Sequence, residues 1–298
     1  MAPETLVAGV NQLNQPLPAR TGRPVLGLST DSMTERDLAA EAVRRTRPPV
    51  TAFSAAALCG QDDLVDELGT FAKANGLSIY LHALDLDLAG IDPVDPGMVR
   101  QIADYARALG SPWITTDFAM WVLRGEKLIE NMLPVPLTRE AVDWVADRTK
   151  RIQDIAQLPI VGENPPYPVL AGDLDILTLM AGIAERADCG LCMDIGHLYI
   201  LRQQRGEPVE RPEDADFPWE RVVEAHISGI TCRDFNAYQL VQDQHRWPVD
   251  DPVWRTTKLL MPRMTQLQAL IGESEGMGID DLVVKLERMD DCLEAVSW

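Results

Sequence analysis

Cys189-Gly-Leu-Cys-Met-Asp194-Ile-Gly-His197 is a short apolar run that stops on an acid and an imidazole. Its length suits a buried strand, because a helix needs ten or more residues of periodic pattern. The same design recurs on both sides of it. Toward the N-terminus, Leu158-Pro-Ile-Val-Gly-Glu163 ends on a carboxylate, Trp113–Trp121 carries Asp117, and Leu77-Ser-Ile-Tyr-Leu-His82-Ala-Leu84 carries His82. Pro49–Ala57 and Val25–Thr30 precede these. Toward the C-terminus, Val222–Ser228 carries His226, and Leu282-Val-Val-Lys-Leu-Glu287 reads as the last run, ending on Glu287.

Longer amphipathic stretches separate the runs. Val142, Val145, Ile152 and Ile155 repeat at helical spacing over about Thr138–Ala156, which places one apolar face toward a core. Thr34-Glu-Arg-Asp37 reads as a capping box opening the first helix. A helix is expected from about Pro252 to Ile271. Eight strand–helix units in 298 residues fit an α/β protein built as a single (β/α)8 TIM barrel. A doubly wound sheet would carry a glycine-rich phosphate turn after its first strand, and Gly27-Leu-Ser-Thr30 supplies none. Residues 1–22 have little periodicity and read as a flexible N-terminal arm, leaving 23–298 for the barrel.

Forty-six acidic against 27 basic side chains give a net charge of −19. That argues against nucleic acid and anionic membranes, which both favour a basic face. No apolar run approaches a membrane span, and Met-Ala-Pro-Glu-Thr lacks the basic start of a signal peptide. The five cysteines form no disulfide framework, as expected in a reducing cytoplasm. Cys189-Gly-Leu-Cys192 reads as two buried structural residues within a strand, not as a zinc or redox pair.

The chain has four histidines, and each falls at or just beyond a strand end. His82, His197 and His226 close their runs, and His245 lies in the insertion after the seventh. Carboxylates take matching places: Asp117, Glu163, Asp194, Asp243 and Glu287. In a parallel barrel these ends meet at one mouth. Buried carboxylates are costly unless paired or bound to metal. Helix capping and salt bridges are the alternative uses, and single cases such as Asp117 and Glu287 stand between the two. Mixed imidazole and carboxylate donors suit iron, manganese or zinc.

These same segments resemble a known family, the multinuclear non-heme iron-dependent oxidative enzymes of the xylose-isomerase-like superfamily. The resemblance runs from about Leu77 to Glu287. Its motifs are Tyr80-Leu-His82, Leu133-Pro-Val-Pro-Leu-Thr-Arg-Glu-Ala141, Glu163-Asn164-Pro-Pro-Tyr167, Met193-Asp194-Ile-Gly-His197, Val222-Val-Glu-Ala-His226, and Asp243-Gln-His245 followed by Asp251-Pro-Val-Trp254. It departs at Phe53-Ser-Ala-Ala-Ala57, at Asp117-Phe118 and at Ile230, where family members usually carry further His and Glu ligands. The resemblance implies O2-dependent oxidation of a peptide by two irons, or by three or one. The substrate would be a ribosomally made precursor, modified at Cys or at a C-terminal residue, often with a small leader-binding partner protein. It also implies His82, Glu163, Asp194, His197, His226, Asp243, His245 and Glu287 as metal ligands. His82, His197 and Asp117 would act beside the metals, and Asn164 would orient a ligand. The alternative is a sugar isomerase or epimerase with one divalent ion on Glu163, Asp194, His226 and Glu287.

Overall fold

The structure is a computed structural model. It describes residues 16–298 apart from 31–35, 48, 58, 129–131, 168, 169 and 237. Eight parallel strands close a barrel: β1 Val25–Thr30, β2 Val50–Ala57, β3 Ser78–Ala83, β4 Ile114–Asp117, β5 Ile160–Glu163, β6 Gly190–Asp194, β7 Val222–Ile227 and β8 Ala269–Glu273. Every strand pairs with its neighbours in sequence, and β8 returns to β1. Eight helices form the outer ring: α1 Arg36–Arg45, α2 Asp62–Asn75, α3 Pro96–Leu109, α4 Arg139–Ala156, α5 Ile176–Ala187, α6 Ile195–Arg205, α7 Asp251–Leu260 and α8 Ile279–Glu294. The expected single barrel is therefore the fold.

Local chemistry sets many of the boundaries. Asp95 caps α3 by accepting from Gly97 N, Thr138 caps α4 through Ala141 N, and Asp175 caps α5 through Leu177 N. Each satisfies a backbone donor that the first helical turn leaves without a partner. The capping box expected at Thr34 and most of the N-terminal arm, residues 1–15, lie outside the described residues. Residues 16–22 pass beneath the barrel, where Leu17 and Val25 pack on an interior cluster of Ala52, Tyr80, Trp113, Val161, Cys192, Ala269 and Ile271.

The last strand differs from expectation. Residues 282–287 lie inside α8, and β8 is the Ala269–Glu273 run that seemed to continue a helix from Pro252. Leu282, Leu286, Met289 and Leu293 are buried at helical spacing, so the Val283-Val284 pair does not impose a strand. Helix α7 ends at Leu260 and a 3-10 turn, Met261–Arg263, leads out of it. Long connections crown the mouth. Residues Ile230–Phe235 and Tyr238–Asp243 form an antiparallel hairpin after β7, and two short ladders follow β4. Among the described residues no helix is long and apolar enough to cross a membrane.

Candidate metal centre

Alternation along the strands turns every second side chain into the barrel, and the last inward residue of several strands is ionisable. His82, Asp117, Glu163, His226 and Glu273 come to the C-terminal mouth this way, and His197 joins them from the first turn of α6. Asp243 and His245 arrive from the hairpin and the loop beyond it. All four histidines line one cavity of about 440 Å³, together with Asp117, Glu163, Asp243, Glu273 and Glu275. Asp194 lies beneath it, fully buried.

Two four-residue donor sets form there, besides a three-residue group of Glu163, Cys192 and His226. His197, Asp243, His245 and Glu273 each offer an atom within 4.8 Å of the others, and so do Glu163, Asp194, His226 and Glu273. Glu273 belongs to both. Carboxylates lace the imidazoles together: Glu163 meets His82 at 3.0 Å and His226 at 3.2 Å, and Glu273 meets His226 at 3.3 Å and His245 at 3.0 Å. His245 also meets Asp243 at 2.8 Å and Glu275 at 2.6 Å. These contacts hold His245 at φ 40°, a left-handed conformation that costs a non-glycine residue free energy.

Six buried atoms in this group make no well-directed hydrogen bond: Asp194 Oδ2, His197 Nε2 and Asp243 Oδ1, and also Glu163 Oε1, His226 Nδ1 and Glu273 Oε2, which meet only the ion-pair partners just named. Buried polar atoms are rarely left so. A cation bonded by them would supply what they lack, so the residues present fit a metal. His82 and Asp117 line the cavity but stand outside both donor sets.

Three of the ligand candidates, His226, Asp194 and His197, are braced from behind. Glu224, fully buried on β7, accepts from His226 Nε2 at 2.9 Å and from Trp113 Nε1 and Thr115 Oγ1 at 2.6 Å each. This orients the His226 ring and leaves Nδ1 facing the other donors. Burial raises Glu224, but these hydrogen bonds and the His226 charge outweigh it and lower its pKa. Asp194 Oδ1 caps α6 at His197 N, 2.6 Å away, while Oδ2 makes no hydrogen bond, so capping the helix does not use up the carboxylate. The Asn164 side chain clamps the Asp194 backbone at both N and O, 2.9 Å each, and the Asn164 backbone carbonyl meets His197 Nδ1 at 2.7 Å. Gly196 is required because a Cβ there would lie 2.3 Å from Ser228 Oγ. At Gly162 a Cβ would strike the Phe118 ring, the ring next to Asp117.

The electrostatics follow from this crowding. Burial alone would lower His82, yet the hydrogen bond and charge of Glu163 push it up to about 9. Against burial, His197 and His245 are likewise raised well above the ordinary imidazole value by their carboxylates, and His226 by Cys192 and Glu163. Burial raises Glu163, but His226 and His82 bring it down to about 2. Asp194 is pushed up to about 7 by burial and by the charges of Glu273, Glu163 and Asp243, against His197. Asp117 rises to about 6 through burial and Glu163.

Glu287 is not at this mouth. With Arg23, Arg47 and Asp290 it lines a pocket at the opposite end of the barrel, because α8 runs back down the outside. Glu273, two residues before Glu275, takes the place expected of Glu287. Glu273, Glu275 and Glu224 were missed, although Glu273 ends an apolar run just as Glu163 does. The other wall of the cavity is Leu84, Trp121, Met132, Pro166 and Tyr167. Trp121 Nε1 and the Tyr167 hydroxyl are buried there without hydrogen-bond partners. At the departures from the resemblance, Ser54 and Ala56 line the cavity and Ile230 is buried.

Comparison with known proteins agrees with the fold and names the family. The chain resembles a solved D-psicose 3-epimerase of Clostridium cellulolyticum H10 with a TM-score of 0.57, at 10% identity, over 91% of this chain and 96% of that one. A xylose isomerase-like TIM barrel protein of Mycobacterium smegmatis, solved with magnesium, gives 0.56 at 14% identity, over 92% and 96%. Identities this low speak to the fold alone. A UPF0276 protein of Pseudomonas aeruginosa is 28% identical over 60% of this chain and 61% of its own length. One from Streptomyces avermitilis is 28% identical over 68% of this chain and 42% of its own. Each match thus spans less than two thirds of the relative. The family model described as "RiPP precursor modification enzyme MbnB/TglH/ChrH" matches residues 59–293, which leaves out β1 and β2 but takes in the other six barrel strands, and the chain belongs to that family.

Proposed function

We propose that this chain is an iron- and O2-dependent oxidative enzyme that modifies a ribosomally made precursor peptide, at Cys or at a C-terminal residue. The observation that carries the reading is the pair of donor sets joined at Glu273, each with buried, unpartnered atoms. Asp194, Glu163 and His226 would hold one ion, and His197, Asp243 and His245 a second, with Glu273 between them. Imidazole and carboxylate donors with open positions suit ferrous iron. Bound iron would supply O2 activation and a Lewis acid for a substrate thiolate or carboxylate. Because the second strand offers only Ser54 and Ala56 at the cavity, two ions are favoured over three.

The chain's own residues would do the rest. The apolar wall of Leu84, Met132 and Pro166 would take a substrate side chain and exclude water. Trp121 Nε1 and the Tyr167 hydroxyl would donate to peptide carbonyl oxygens. Burial and Asp117 raise Tyr167 far above its ordinary value, so it stays a donor at working pH. His82, on Glu163 and outside the donor sets, is placed to hold a proton near the substrate. A small leader-binding partner protein belongs to the same proposal.

The test is anaerobic loading with ferrous iron followed by metal analysis and O2 uptake with candidate precursor peptides. Two irons per chain and peptide-dependent uptake are expected. A colourless protein holding one manganese or magnesium and turning over a ketose would refute the reading. The second reading, a sugar epimerase, draws on the tetrad Glu163, Asp194, His226 and Glu273, whose two glutamates could exchange a proton across one ion. The additional His197, Asp243 and His245 set has no part in that chemistry and favours the oxidase.

A further inference from the structure

Cys189 and Cys192 share strand β6 or its edge but not a face. Cys192 packs with Trp113, Val161 and Ile271 inside the barrel, while Cys189 packs among residues of the outer core. Three residues apart in an extended strand, they point in opposite directions, so the Cys-x-x-Cys pair cannot chelate one ion. Cys192 instead stands two residues before Asp194 on the same inward row, one layer below the imidazole and carboxylate donors.

Cys192 is completely buried. Its sulfur, a Glu163 oxygen and a ring nitrogen of His226 all lie within 4.8 Å of one another. Glu163 Oε1 and His226 Nδ1 face each other at 3.2 Å, and neither makes a well-directed hydrogen bond. A tetrahedral ion with bonds of about 2.0–2.3 Å holds its ligands roughly 3.5 Å apart, a spacing that small side-chain rotations would reach here.

We infer that Cys192 is a sulfur ligand to the ion held by Glu163 and His226. The inference rests on the metal reading of the site proposed above. On binding, the S–H bond breaks, the proton leaves to solvent, and a sulfur lone pair bonds the cation with no change of oxidation state. One consequence is a difference between the two positions. The inner one, with thiolate, prefers thiophilic ions such as Fe2+, Co2+ or Zn2+, while the outer set of His197, Asp243, His245 and Glu273 has no soft donor.

Anaerobic titration of the full chain with Co2+ tests this without any turnover. Wild-type protein is expected to develop a near-ultraviolet sulfur-to-cobalt charge-transfer band as the first equivalent binds. C192S is expected to lose the band and bind cobalt about tenfold or more weakly, whereas C189A keeps both. Cobalt bound by wild type without the band, or a band that survives in C192S, overturns the assignment of Cys192 and leaves the metal reading standing. No cobalt bound at all by wild type sinks both. The decisive spectrum is read on the unaltered chain, so it does not depend on how the variants fold.

Discussion

At the scale of single residues, the centre is a set of charges that need one another. His226 and Asp194 are almost wholly enclosed, so alanine at either should cut metal content at least about tenfold while far-ultraviolet circular dichroism stays near wild type. Full loading in both variants would exclude them as ligands. Glu287→Ala should leave metal content unchanged, since its side chain lies at the far end of the barrel. Glu224→Gln is subtler. It keeps the shape and removes the charge that orients His226, so metal affinity should fall by about 10- to 100-fold, measured by competition with a chelator. The histidines were legible because an apolar run that ends on an imidazole is a strong strand-end signal. Glu224 was not, because a carboxylate in the middle of Val222-Val-Glu-Ala-His226 gives no hint that Trp113 and Thr115, more than a hundred residues away, satisfy it. Trp121 and Tyr167 sit on loops, whose course no periodicity predicts.

Among elements, α6 shows how a helix serves the mouth. Its N-terminus carries His197, and its last turn is pinned by Arg202, which is completely buried and makes a two-pronged pair with Asp214 at 2.7 and 2.8 Å. Arg202 also donates to the Val209 carbonyl, so one guanidinium folds the connection between α6 and β7 back against the barrel. Breaking a buried pair from one side strands a charge. Asp214→Ala should therefore cost about 3–5 kcal/mol in denaturant unfolding; a loss under about 1 kcal/mol would mean the pair is solvated. Most elements of the first seven units follow from apolar runs alternating with amphipathic stretches, but not α6: the run Cys189–His197 leaves its strand at Asp194, and the stretch after it reads as polar connection although Ile195–Arg205 is helical. The eighth did not, because Leu260, Met261, Met264, Leu267 and Leu270 keep an almost helical spacing through the turn after α7, and Ala269-Leu-Ile-Gly-Glu273 hides at its end. Pro262 in that stretch was the available signal, since proline seldom continues a helix interior.

For the molecule as a whole, acidity and metal loading are coupled. Without an ion, the imidazoles are held protonated by their carboxylates, His82 up to about 9 and the other three well above the ordinary value. Ligation needs neutral imidazole. Metal uptake at pH 7 should therefore release protons, and apparent affinity should rise as pH is raised toward the imidazolium values and fall as it is lowered. A pH indicator in weak buffer would show the release, and silence on saturating metal would contradict the protonation states. Loading should also raise the melting temperature in a metal-concentration-dependent way, as any ligand specific to the folded state does. One further property comes from beneath. Below the mouth the barrel is filled by Tyr80, Trp113, Val161, Cys192 and Ile271, with Leu17 packed against this layer, so among the described residues the interior is closed below and the chamber opens at the mouth. On the proposed function, dioxygen, peptide and product would have to share that mouth in turn, and a bound peptide would be the stopper that keeps stray reductants out.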